Sequence, residues 1–231
     1  PDGGKLFGGK ANTAYLMPWN RYFNPKSLYT IIDKGIIPRL TTAPFSAKIS
    51  GKEMKFKRGT IVIPVSQRDA DATILPSEVH SLMEEIVQND HVQIYATNSA
   101  LTPNGPDLGG PFQGVLNKPK VAILSGDGTS AYGAGEIWHL VNHRMQIPVS
   151  LIDANNLNRG KLSKYNTMIL PDGSYSKLDS SDIKSIKEWV ADGGSLISVQ
   201  SASRWVVKNG LIKEELVENE KISYDIPYDQ V

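Results

Sequence analysis

The chain has no cysteine among its 231 residues. That absence excludes disulfides, thiolate zinc sites and a cysteine nucleophile. No apolar run approaches the ~20 residues needed to cross a bilayer, so no membrane span is expected. Charge of one sign is also missing. The 25 basic and 24 acidic residues leave a formal net charge of +1, which gives no global attraction to nucleic acid or anionic lipid. Histidine is scarce, with His80, His91, His139 and His143 as the full set. None begins an H-x-x-E zinc pair, because the third residues on are Met83, Ile94, Asn142 and Gln146. The chain opens on "PDGGKLFGGK", without Met or a signal peptide, as expected of a piece cut from a longer protein.

What remains is ordinary globular material, 40% hydrophobic and 21% charged. The length suits one large domain or two small ones. Residues 1–117 read as a smaller α/β domain. "TAYLMPW" and "TIVIPV" are strand-like, and "SAKISGKEMKF" alternates around Ser50-Gly51. Helices are expected from Asn24-Pro25, with Asn24 as N-cap and Gly35 as stop, and over "LPSEVHSLMEEIVQND", capped by Ser77. "LTPNGPDLGGPFQGVLNK" (101–118) has the composition of a linker.

Residues 118–231 form a cleaner series. Apolar strands at 120–125, 147–153, 166–171 and 195–200 alternate with helices near 133–145, 179–191 and from about 203. Asp179 and Asp182 make a capping pattern for the second helix. The alternation predicts a doubly wound parallel sheet. Ligands in such sheets bind beyond the carboxyl ends of the strands.

Four candidate sites lie in this half. Gly126, Gly128 and Ala131 fit G-x-G-x-x-A after a strand, with Asp153 placed as a ribose-binding acid would be. Against a nucleotide site on the 125–135 loop, Asp127 sets a negative charge where a pyrophosphate would approach. Gly133 and Gly135 also predict a helix that starts late. Glu136, His139 and His143 share one helical face at spacings of three and four, the weaker candidate for a metal. Read blandly, they are a polar stripe. Ser201 and Ser203 follow a strand on a sharp turn, where a nucleophile would stand. Neither has the flanking glycines of G-x-S-x-G, and no histidine follows His143. They read as caps for the next helix. Pro171-Asp172-Gly173 reads as a structural turn.

"YNTMILPDGSY" followed by a helix and "GGSLISVQSASRWVVKNGL" resembles the class I glutamine amidotransferase-like fold, flavodoxin-like in its sheet. The resemblance spans about 120–212. Aligned on Gly210-Leu211, the family's elbow cysteine falls on Gln200. The resemblance therefore implies the fold without its nucleophile. Any residual ligand edge would hold Asp127, Glu136 and Ser201 around that degenerate position.

"TAYLMPWNRYFNPKSLYTIIDKGI", "FKRGTIVIPVS", "DLGGPF" and "KPKVAILSGDGTSAYGAGEIWHLVNHRMQIPVSLID" are together similar to the region that follows the peptidase domain in M14-family zinc carboxypeptidase-like proteins of bacteria. This implies an accessory, non-catalytic domain pair whose partner is the peptidase domain of the same polypeptide. Zinc would belong to that absent domain, with no cofactor in this chain, and the parent would be exported. Nothing in the sequence selects an oligomeric state. The alternative is a nucleotide- or small-ligand-binding module using the loop 125–135.

Overall fold

A strand that is apolar at every position needs cover on both faces. β2 (Ala14–Met17) is buried throughout, and its surroundings show why. The computed structural model describes residues 3–67, 74–157 and 162–217. It divides into two units, Pro1–Lys120 with His139–Pro148, and Val121–Trp138 with Val149–Val231.

The first unit contains, in order, β1 (Lys5–Phe7), β2, α1 (Asn24–Asp33), β3 (Arg39–Thr41), β4 (Phe45–Ile49), β5 (Lys52–Phe56), β6 (Ile61–Pro64), α2 (Pro76–Asp90), β7 (Gln93–Thr97) and β8 (Gln113–Val115). Its six-stranded mixed sheet runs β1-β7-β2-β6-β3-β8, with only the β1–β7 pair parallel. Tyr15, Met17, Ile61, Ile63 and Ile94 share a core with Ile31 of α1 and Val79, Met83 and Ile86 of α2. Alternate residues Leu16, Val62 and Tyr95 face the other way, onto Phe45, Ala47, Ile49 and Phe56 of the β4–β5 hairpin. The sheet is thus sandwiched, helices on one face and hairpin on the other. Ser50 (φ 49°) and Gly51 (φ 81°) turn that hairpin, both in the left-handed region, as its two-residue loop requires.

Local details correct the sequence reading. Asn24 is the first helical residue, not the cap, and its Oδ1 accepts the Arg21 N–H at 2.6 Å. Ser77 lies inside α2, and Glu78 closes that helix's start by accepting the Leu75 N–H at 2.7 Å. The expected linker contributes β8, paired antiparallel with β3.

In the second unit β9 (Val121–Ser125), β10 (Val149–Asp153), β11 (Thr167–Leu170) and β12 (Ser195–Ser198) form an all-parallel sheet in the order β10-β9-β11-β12. Its helices are α3 (Ala131–Trp138), α4 (Ser180–Ala191) and α5 (Ser201–Lys208). Asp179 caps α4 through the N–H groups of Ser181 and Asp182, the box its spacing predicts. Ala122, Leu124, Met168 and Leu170 pack with Ile186 and Trp189 of α4 and Ala202 and Val206 of α5. On the opposite face Leu151, Ile123, Ile169 and Ile197 form one cross-strand row. Its two inner members are buried and its two outer ones exposed. Between β10 and β11 the described residues hold only 3-10 turns, Ala154–Asn156 and Leu162–Lys164. The expected helix near 133–145 is α3 followed by a π-helical turn, His139–Arg144, which groups with the first unit. Among the described residues no helix is long and apolar enough to cross a membrane.

Candidate functional site

Parallel strands deliver their following loops to one edge, so the carboxyl ends of β9, β10, β11 and β12 gather the chemistry of the second unit. Three of these loops are tied together there.

The turn from β12 to α5 is sharp. Gln200 sits at φ 54°, ψ −120°, a backbone conformation only glycine adopts without cost. The sequence places a long amide there instead. α5 begins at the next residue, and its first amide is claimed from outside the helix. Ser201 N–H donates to Asp172 Oδ1 at 3.1 Å. Asp172 is held below the usual aspartate range by the Ser201 hydroxyl first, then by the backbone N–H groups of Ser201 and Gly173. Its own carbonyl accepts the Ser130 N–H at 2.7 Å, ahead of α3. One residue after β11 thus joins the starts of two helices. The expected capping by Ser201 and Ser203 is not what forms. Ser203 Oγ donates back to the Ser198 carbonyl at 3.2 Å, and Asp172 takes the amide.

A second strained residue adjoins. Tyr175 lies at φ 54° and is 1% exposed. Its hydroxyl donates to the Pro171 carbonyl at 2.5 Å, and its ring lies 5.4 Å from that of Trp205. Burial, with the Asp172 charge beside it, pushes its phenol well above the ordinary value. Strained backbone is retained only where its surroundings over-determine it, and active-site edges are common places for it.

The glycine-rich loop is spent internally. Gly126 (φ 99°) and Gly128 (φ 83°) need their backbone freedom. A Cβ on Gly126 would stand 2.9 Å from Asp153 Oδ1. The Gly128 carbonyl accepts from Ser174 N–H and Tyr175 N–H at 2.9 and 3.3 Å. Asp153 accepts the Asn155 N–H at 2.9 Å and caps its own following turn. The late helix start is not observed: α3 begins at Ala131, with Ser130 Oγ accepting the Gly133 N–H at 3.1 Å.

Of the other sequence candidates, Asp127 and Glu136 are exposed. Among the described residues no hydrogen bond or ion pair joins either to Gln200 or Ser201. The rings of His139 and His143 lie 4.9 Å apart in the π-helical turn. No three His, Asp or Glu side chains among the described residues are gathered so as to hold a metal ion. A cleft of about 510 Å³ lies at the other end of the sheet, near Tyr165, Trp189 and Gly194, ahead of β11 and β12. Ligands of such sheets are expected at the carboxyl edge, so the elbow geometry outweighs the cleft's size.

Sequence reading misses Asp172 and Tyr175 as partners of the elbow. The motif is visible, but 29 residues separate Asp172 from Ser201. Comparison with known proteins yields no matching family model, curated protein or solved structure.

Proposed function

We propose that this chain is an accessory, non-catalytic region of a zinc carboxypeptidase-like protein. Its second unit is a class I glutamine amidotransferase-like, flavodoxin-like domain that keeps the nucleophile turn and has lost the nucleophile. The observation that carries the reading is Gln200 at φ 54°, ψ −120° on a strand-to-helix turn. That strained geometry serves to expose a reactive side chain, yet a carboxamide cannot attack a carbonyl. The amide that follows a nucleophile, a donor for an oxyanion, is here given to Asp172. The strand order, 2-1-3-4 in chain sequence, agrees with the first four strands of the flavodoxin-like order. Zinc and the catalytic groups then belong to the peptidase domain, and this chain acts in substrate access, interaction or stability.

Two measurements test the proposal. The purified chain is assayed on glutamine, activated esters and peptides with free carboxyl termini. No turnover is expected, and turnover abolished by one substitution at Gln200, Ser201 or Ser203 overturns the reading. The peptidase domain is then compared with and without this region in the same polypeptide. A change in its melting temperature or kcat/KM is expected, and identity in both overturns the accessory role.

A further inference from the structure

The β4–β5 ribbon has two unlike edges. Its two-residue turn sets Ile49 opposite Lys52, and such hairpins close on a hydrogen-bonded pair. Alternation makes Ala47–Met54 and Phe45–Phe56 the next bonded pairs. The backbone groups of Ser46 and Lys48 on one strand, and Glu53 and Lys55 on the other, therefore point outward. On the β4 side that edge is covered. The Ser46 N–H donates to the Asn104 carbonyl at 2.8 Å, and Gly105 packs so closely that a Cβ would stand 2.5 Å from the Pro44 carbonyl. On the β5 side, no backbone hydrogen bond from a described residue reaches Glu53 or Lys55 from outside the ribbon.

The open edge is also one wall of a cleft of about 300 Å³. Trp19, Asn20 and Tyr95 line it with Lys55, Lys57 and Arg58. Trp19 is 47% exposed. The one carboxylate of β5, Glu53, is drawn toward the covered edge by the Asn104 amide at 2.9 Å. Among the described residues no ion pair engages Lys55, Lys57 or Arg58. Unpaired backbone, the exposed Trp19 ring and three cations thus meet in one groove.

We propose that β5 is a strand-addition site for an extended acidic peptide. The peptide's backbone pairs with Glu53 and Lys55, its carboxylates meet Lys55, Lys57 and Arg58, and an apolar side chain rests on Trp19. Antiparallel pairing with a second copy about Met54 would set Glu53 beside Lys55 but place no carboxylate opposite Lys57 or Arg58, which an acidic peptide supplies. The site lies in the first unit and stands independently of the accessory role argued from Gln200.

The test uses the whole chain and fluorescently labelled peptides of about eight residues, a usual strand length. One alternates Glu with Val and its counterpart alternates Lys with Val. The acidic peptide is expected to bind at least about tenfold more tightly, with affinity falling as salt rises. Two N-methylated versions then remove the donors of one strand edge or the other. One is expected to lose binding about tenfold or more, and the other to retain it, since only one peptide edge faces β5. Lys55→Gln and Lys57→Gln weaken binding severalfold while leaving the backbone intact. Equal binding of acidic and basic peptides overturns the proposal. So does equal tolerance of both methylation patterns, which would make the groove a general anion surface.

Discussion

The Asp172 carboxylate accepts the backbone N–H of Ser201 at 3.1 Å and so starts α5 from a neighbouring strand end. Its acidity is raised first by the Ser201 hydroxyl and then by that contact, and the sign of the pH effect follows. A carboxyl whose folded pKa is depressed contributes stability that is present above its unfolded value. That contribution is lost as pH falls through the lower, folded value. Urea unfolding of the wild type and Asp172→Asn should therefore differ by a constant amount near neutrality. The gap should close only on acidification below the ordinary aspartate range, near 3.8. A gap that persists unchanged on acidification below that range would show that the ionised carboxylate does not act through Ser201.

Gln200 carries its backbone conformation at a cost. Gln200→Gly should relieve strain of ~1–3 kcal/mol and lose ~0.5–1 kcal/mol to unfolded-chain entropy. The net expectation is stabilisation of about 1 kcal/mol by chemical denaturation, with Gln200→Ala giving none. Loss of stability in the glycine variant would mean that the Gln200 side chain itself holds the turn.

Because the chain has no cysteine, Gln200→Cys places a single thiol at the start of α5. A helix N-terminus favours the thiolate, whereas a nearby carboxylate opposes it. The pH dependence of iodoacetamide alkylation should show a more acidic thiol in Gln200→Cys than in Lys208→Cys, at the far end of the helix. Adding Asp172→Asn to Gln200→Cys should lower the pKa of that thiol further. An unchanged profile in the double variant would separate Asp172 from the elbow.

Tyr15 anchors a buried polar chain in the first unit. Its hydroxyl accepts the Ala11 N–H at 3.0 Å and meets His80 Nδ1 at 2.7 Å. The other ring nitrogen of His80, Nε2, faces Glu84 Oε1 at 3.5 Å. Tyr15 is fully buried, and burial raises its pKa. Tyr15→Phe leaves the buried Ala11 donor unpaired, and should destabilise by ~1–3 kcal/mol. A neutral result would place water on that amide.

Gly126→Ala should destabilise the second unit by more than about 1 kcal/mol, because its φ of 99° and the Asp153 carboxylate both oppose a Cβ. Millimolar NAD, FMN or ATP should leave the melting temperature of the wild type unchanged. A nucleotide-dependent rise that vanishes in Gly126→Ala would return the loop to a ligand-binding role.

These sites differ in how far the sequence exposes them. The α4 cap is readable because Asp179 and Asp182 are three residues apart and serve the helix they precede. The Ser50-Gly51 hairpin is readable for the same local reason. Asn24 and Ser77 are misplaced by sequence because each type caps well in general, while the local competition decides otherwise. The Arg21 amide engages Asn24, and Glu78 reaches back to Leu75. Residues 113–115 look like linker because glycine and proline surround them, yet β3 offers an open edge for β8.

By itself, the sequence determined the succession of strands and helices in the second unit. It also determined the absence of thiol chemistry and a glutamine after the last strand. Periodicity, caps and composition act over a few residues and carry their own signal. Only the tertiary structure decided that Asp172 meets Ser201, that Gln200 is strained, and that β5 keeps one edge open beside Trp19. Those outcomes depend on which strands become neighbours. The order of a sheet is set by packing both its faces at once, which no local stretch of sequence encodes.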